Sequence, residues 1–174
     1  MPRKLHIGGR QIAPGWEIFN AVEAPGVDHL GDARDLSRFP DNEFSAIYAS
    51  HIVEHIDYKD EMESTLKEWY RVLQPGGSLY VSVPDMDTLA KIFLEKNLTT
   101  GERFQVMRMM FGGHMDKYDY HLVGLNFEFL YFYLQLVGFV HQQRVNNFGI
   151  FEDDSTLKFK GVPISLNVTA HKPA

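Results

Sequence analysis

"FPDNEFSAIYASHIVEHI", residues Phe39–Ile56, decides the fold of this chain. Pro40-Asp41-Asn42-Glu43 is a turn, and the near-continuous apolar run Phe44–Ala49 after it has the pattern of a strand buried on both faces. Downstream, Met62, Leu66, Trp69, Tyr70 and Leu73 recur at helical spacing, with Asp60, Glu61 and Glu63 in the first turn, where the helix dipole favours acids. Pro75-Gly76-Gly77 stops this helix, Ser78–Val83 is the next buried strand, and Met86–Lys96 resumes a helical pattern. Upstream, Leu5–Ile7, Glu17–Phe19 and Val27–Leu30 are short strands closed by Gly, Pro or polar turns. Strand alternating with helix predicts parallel strands joined by right-handed crossovers in an open α/β sheet.

From Asn97 to His121 the pattern weakens into Gly101, Gly112 and Gly113, the methionines Met107, Met109, Met110 and Met115, and the polar aromatic string "HMDKYDYH". Two readings stand here: a lid over residues 97–121, built on adaptable Met side chains, or a core-packing helix over Phe104–Phe111. Asn126–Val137 is a helix capped by Asn126 and ended by Gly138. Phe139–Val145 and Ile164–Ala170 then pair as a C-terminal antiparallel hairpin.

A chain of 174 residues that is 44% hydrophobic can bury one full core, so a single domain over residues 1–174 is expected. A net charge of −6, with no basic cluster longer than Pro2-Arg3-Lys4, argues against recognition of a phosphate backbone, and no nucleic-acid partner is expected. The absence of cysteine excludes disulfides and thiolate zinc sites. No apolar run has the length of a membrane span, so a cytoplasmic protein without a membrane partner is the expectation.

Ligands of open α/β sheets bind at the carboxyl ends of the strands, which directs attention to Gly8 and Gly9, Asn20, Asp32, Ser50 and His51, and Pro84 with Asp85. The segments "LHIGGR" followed by "GW", then "GDARDL", "FPDNEFSAIYASHIVEHI", "LKEWYRVLQPGGSLYVSVPD" and "FLYFYLQLVGF" stand in the order and spacing of a class I S-adenosylmethionine-dependent methyltransferase. The chain resembles a compact bacterial and phage-type branch of that family over nearly its whole length. The Pro-Gly-Gly turn before the fifth strand is a specific marker, whereas a glycine turn alone carries little weight.

The resemblance implies a Rossmann-like, mostly parallel sheet with the antiparallel C-terminal hairpin and a shortened first crossover. It also implies S-adenosylmethionine as cofactor, S-adenosylhomocysteine as product, and a cofactor site at Ile7, Gly8, Gly9, Arg10, Asn20, Asp32, Ala33, Ser50 and His51. Asp32-Ala33 matches the adenine-reading pair, with the carboxylate receiving the adenine amino group. Two positions depart from the family. Arg10 stands where its second turn glycine falls, and Asn20 stands where its ribose-binding acid falls. An amide cannot accept two charge-assisted bonds as a carboxylate does.

Methyl transfer to oxygen or nitrogen calls for a base, and His51 and His121 are the candidate catalytic residues. The expected acceptor is a small molecule or a carbohydrate. Two other readings remain open: a noncatalytic relative serving as a binding module, and a zinc-dependent hydrolase. The latter rests on His51, Glu54 and His55, which form H-x-x-E-H, the inverted zinc-protease spacing. That motif needs both histidines on one established helix, and here His51 directly follows a strand. The expectation is accordingly no metal, with His55 a capping or packing residue.

Overall fold

A computed structural model describes residues 2–174. The strands are β1 (Lys4–Ile7), β2 (Trp16–Asn20), β3 (His29–Leu30), β4 (Phe44–Ser50), β5 (Leu73–Pro84), β6 (Val140–Val145), β7 (Lys158–Phe159), β8 (Val162–Pro163) and β9 (Ser165–His171). The helices are α1 (Met62–Val72), α2 (Met86–Phe93), α3 (Thr100–Phe111) and α4 (Phe127–Leu136). Seven strands form one sheet in the order β3-β2-β1-β4-β5-β9-β6, and β7 and β8 make a separate hairpin. Neighbours from β3 through β5 run parallel; β9 is antiparallel to both β5 and β6. The α/β sheet and its C-terminal hairpin are therefore as the sequence predicts.

α1 and α4 cover one face of the sheet. Leu66, Trp69, Leu130 and Leu134 pack there against Leu5, Ile7, Ile47, Leu79, Val81 and Val168, all buried. β1, β2 and β3 are linked by loops without helices, and the β3–β4 connection is also irregular. Side chains of α1 hold that connection in place. The Trp69 indole N–H donates to the Ala33 carbonyl at 2.8 Å. Arg71 donates to the carbonyls of Phe39 and Leu36 and to Asp41. The opposite face carries His6, Trp16 and Tyr48, covered by Phe148 and Phe151 of the β6–β7 segment. There the His6 ring stacks on Phe151, and the Tyr48 hydroxyl donates to Asp153.

Four local boundaries differ from expectation. α1 ends at Val72 because Leu73 turns extended and pairs with Phe44, so β5 begins before Pro75-Gly76-Gly77 and a register shift absorbs the turn. β3 is confined to His29–Leu30 because the Asp28 carboxylate takes the Ile18 N–H that a longer strand would use. α2 stops at Phe93, where the Arg103 guanidinium collects the carbonyls of Phe93 and Glu95. Within 97–121, α3 starts at a capping box formed by Thr99 and Glu102, a signal present in the sequence as "TTGE". Its buried Val106 joins Leu89, Ile92, Phe159 and Ile164 in a second small core, while Phe104 and Phe111 at the ends of the expected core helix are exposed.

Replacing Trp69 with Phe keeps an aromatic in the core but leaves the Ala33 carbonyl without its donor. A loss of about 1–3 kcal/mol in urea denaturation is expected. A second expectation concerns acid. Burial pushes the His6 ring down to about 4, against the opposing pull of the Asp153 carboxylate. The unfolded chain protonates this ring near pH 6.5, so stability present above that pH is lost as the pH falls toward 4. His51 and His121, also lowered to about 4, act in the same direction. Denaturation midpoints at pH 7.5 and pH 5 should therefore differ less in a His6→Phe variant than in the parent.

Candidate functional site

A cleft of about 1350 Å³ opens at the carboxyl ends of β1, β2 and β4, lined by Gly8, Gly9 and Arg10, Asn20, Asp32 and Ala33, Ser50 and His51, and residues 116–122. Its floor is the turn after β1. Gly8 has φ +73°, and a Cβ there would stand 2.1 Å from Cδ1 of Ile52. Its N–H donates to the Phe19 carbonyl at 2.7 Å, closing β1 onto β2. The left-handed backbone conformation favours glycine, and an added Cβ would also have to push the end of the Ile52 side chain aside. At Gly9, an added Cβ would fall 2.5 Å from the His6 ring. Ile7 is buried beneath the turn, while Arg10 is exposed at the rim. The Arg10 charge partly offsets the upward push that burial gives the Asp154 carboxyl.

Asn20 acts as a clasp. Its Nδ2 donates to the Gly9 carbonyl at 3.0 Å, and its Oδ1 accepts the Val22 N–H at 3.0 Å. One N–H and one acceptor lone pair remain for a ligand. Asp32 is gripped by Arg34, whose Nε and Nη2 reach its two carboxylate oxygens at 2.9 and 2.6 Å, with the Arg34 backbone N–H adding a third bond. That partner holds the Asp32 carboxyl below the usual carboxylate range.

Beyond β4 the chain turns through His51, at φ +54°, into the single 3-10 turn Val53–His55. His51 Nε2 lies 3.0 Å from the Ser165 hydroxyl. That hydroxyl donates to the Asp154 carbonyl at 2.7 Å, so it accepts from His51 Nε2–H and leaves His51 Nδ1 unprotonated. His51 Nδ1 faces Glu54 Oε1 at 3.3 Å. The Glu54 side chain is buried, and neither of its oxygens has a hydrogen-bond partner. Burial, with a smaller push from the Asp154 charge, raises its carboxyl to about 8.

His121 reaches the same place from the strap between α3 and α4. Leu122 N–H and Val123 N–H both donate to the Glu54 carbonyl, at 2.7 and 3.3 Å. His55 Nδ1 lies 2.9 Å from the Tyr120 carbonyl, and His121 Nδ1 lies 3.3 Å from the Met110 carbonyl. The two rings meet edge-on with centroids 5.0 Å apart.

All the cofactor positions taken from the sequence, Ile7 included, line this cleft, and His51 and His121 converge on it although 70 residues separate them in the chain. Glu54 and His55 belong to the site as well. Their signal was the H-x-x-E-H string itself. His51 and His55 do not share an α-helical face, and His51 Nε2 is committed to Ser165, so the two-histidine arrangement of the inverted zinc proteases is not built.

Residues 18–81 match a family model described as a methyltransferase domain. A 52-residue stretch is 46% identical to the ubiquinone/menaquinone biosynthesis C-methyltransferase UbiE of Neisseria gonorrhoeae, covering 30% of this chain and only 20% of that protein. Among solved structures, a possible histamine N-methyltransferase of Thermotoga maritima superposes with a TM-score of 0.62 at 20% identity, over 99% of this chain and 83% of that one. A methyltransferase of Archaeoglobus fulgidus gives 0.61 at 15% identity, over 98% and 86%. Human N-acetylserotonin methyltransferase, solved with S-adenosylmethionine, gives 0.57 at 14% identity, over 99% of this chain and 48% of its own. Its strand order and its cleft at the β1 and β4 ends are thus those of the class I methyltransferase fold, and residues 18–81 carry the segment matched by the methyltransferase-domain model.

Proposed function

We propose that the cleft binds S-adenosylmethionine and that the chain transfers its methyl group to a small-molecule or carbohydrate acceptor. One observation carries the reading: a single cleft connects the Gly8–Gly9 turn, the Asp32-Ala33 pair and the His51 cluster. The methyl group of a sulfonium is already activated, so the protein's task is to hold it in line with a nucleophile and to exclude water. Gly8 and Gly9 let backbone approach the cofactor's amino-acid tail. Asp32, kept ionised by Arg34, accepts from the adenine amino group, since two carboxylate oxygens retain lone pairs beyond those Arg34 uses. Asn20 offers the ribose one donor and one acceptor. His51, neutral with Nδ1 unprotonated beside Glu54 Oε1, takes the proton released by the acceptor. The acidic balance of the chain favours a small acceptor over nucleic acid.

The engagement of Asn20 with Gly9 and Val22 favours a second reading, a noncatalytic relative that keeps the fold as a binding module. Calorimetric titration with S-adenosylmethionine and S-adenosylhomocysteine separates the two. Micromolar binding, weakened at least about tenfold by Asp32→Ala, is expected of the methyltransferase. No heat at millimolar ligand, from protein folded by circular dichroism, overturns it.

A further inference from the structure

We propose that Glu54, His55 and His121 form a binding site for one first-row divalent transition cation at the acceptor end of the cleft. One ligand atom from each of the three lies within 4.8 Å of the other two. Ligand atoms around such a cation sit about 3–4 Å apart, so a closure of about 1 Å completes the set. A carboxylate with two imidazoles suits Mn²⁺, Co²⁺ or Zn²⁺ better than Mg²⁺ or Ca²⁺, which prefer all-oxygen shells.

Three independent features support the assignment. Both Glu54 oxygens are buried without a partner, a costly arrangement that a bound cation relieves. His55 and His121 each place Nδ1 on a backbone carbonyl, of Tyr120 and of Met110. This is the outer-shell contact that fixes ring orientation and leaves Nε2 as the metal-binding nitrogen. The strap bearing His121 is tied to the Glu54 carbonyl by two N–H groups, so the third ligand is held against the other two before any metal arrives. The assignment differs from the zinc-protease reading of H-x-x-E-H: Glu54 is a ligand and not a base, and His51 is outside the set.

Three protein ligands leave coordination positions open toward the cleft. Resting on the methyltransferase reading for the identity of the occupant, the class of acceptor that fits is one presenting hydroxyl oxygens to the cation. The cation site itself does not depend on that reading.

The test is titration of chelator-stripped protein, without nucleotide, using Mn²⁺ and Zn²⁺ by calorimetry and Co²⁺ by visible absorption. One cation per chain at micromolar affinity is expected, with Co²⁺ bands typical of mixed nitrogen and oxygen ligation. His121→Asn and Glu54→Gln should each weaken binding at least about tenfold, as loss of a first ligand requires. His141→Ala, an exposed histidine on β6, should leave it unchanged. His121 lies on the strap outside the main core, which keeps at least one variant measurable if Glu54→Gln fails to fold. Absence of saturable binding at millimolar metal overturns the proposal, as does undiminished affinity in His121→Asn. Metal binding without any response to S-adenosylmethionine would sustain this site while removing the methyl-transfer reading.

Discussion

The close approach of Ile52 to Gly8 is the constraint on which the cleft rests. A side chain at Gly8 would have to displace that of Ile52, and the left-handed backbone at Gly8 turns its N–H onto the Phe19 carbonyl. One contact thereby fixes the end of β1, the end of β2 and the segment leaving β4 against one another. Ile52 leads directly into the 3-10 turn that carries Glu54 and His55. The glycine turn and the imidazole cluster are consequently parts of one packed unit lining a single cleft.

Replacing crossover helices by loops changes what the loop residues must do. A helix after β1 would absorb the polar groups of the turn into its own hydrogen bonding. Here the Gly9 carbonyl is satisfied by the Asn20 amide, a bond that an aspartate could not donate. The amide at position 20 thus has a structural counterpart in the helix-free link between β1 and β2. Trp69 and Arg71 do comparable work at the β3–β4 connection, where buried Leu36 and Phe39 anchor a chain with no helix of its own.

The sheet was legible because its central strands are apolar runs bounded by turn residues, and Pro75-Gly76-Gly77 and Asn126 mark boundaries by chemistry that acts locally. Boundaries set by distant partners were not legible. β3 is shortened because the adjacent Asp28 side chain reaches the Ile18 N–H, ten residues back, and α2 is stopped by Arg103 from the next helix. In the site, the glycine turn and Asp32 could be read from adjacent residues. The meeting of Glu54 and His55 with His121 could not, because it depends on backbone bonds from a strap 65 residues further on. The motif that contains Glu54 and His55 invites a helical interpretation, and the left-handed conformation of His51 removes it.

The Asp32–Arg34 pair has a consequence of its own. Both side chains are more than two-fifths exposed, at 43% and 45%, and Arg34 also reaches Glu61 at 2.7 Å. The orientation of the Asp32 carboxylate is therefore set by exposed charges that dissolved ions screen, while the glycine turn at the other end of the cleft is set by packing that they do not touch. Ionic strength acts on the two ends of the cleft unequally: salt loosens the hold of Arg34 on Asp32 and leaves the turn at Gly8 and Gly9 as rigid as before.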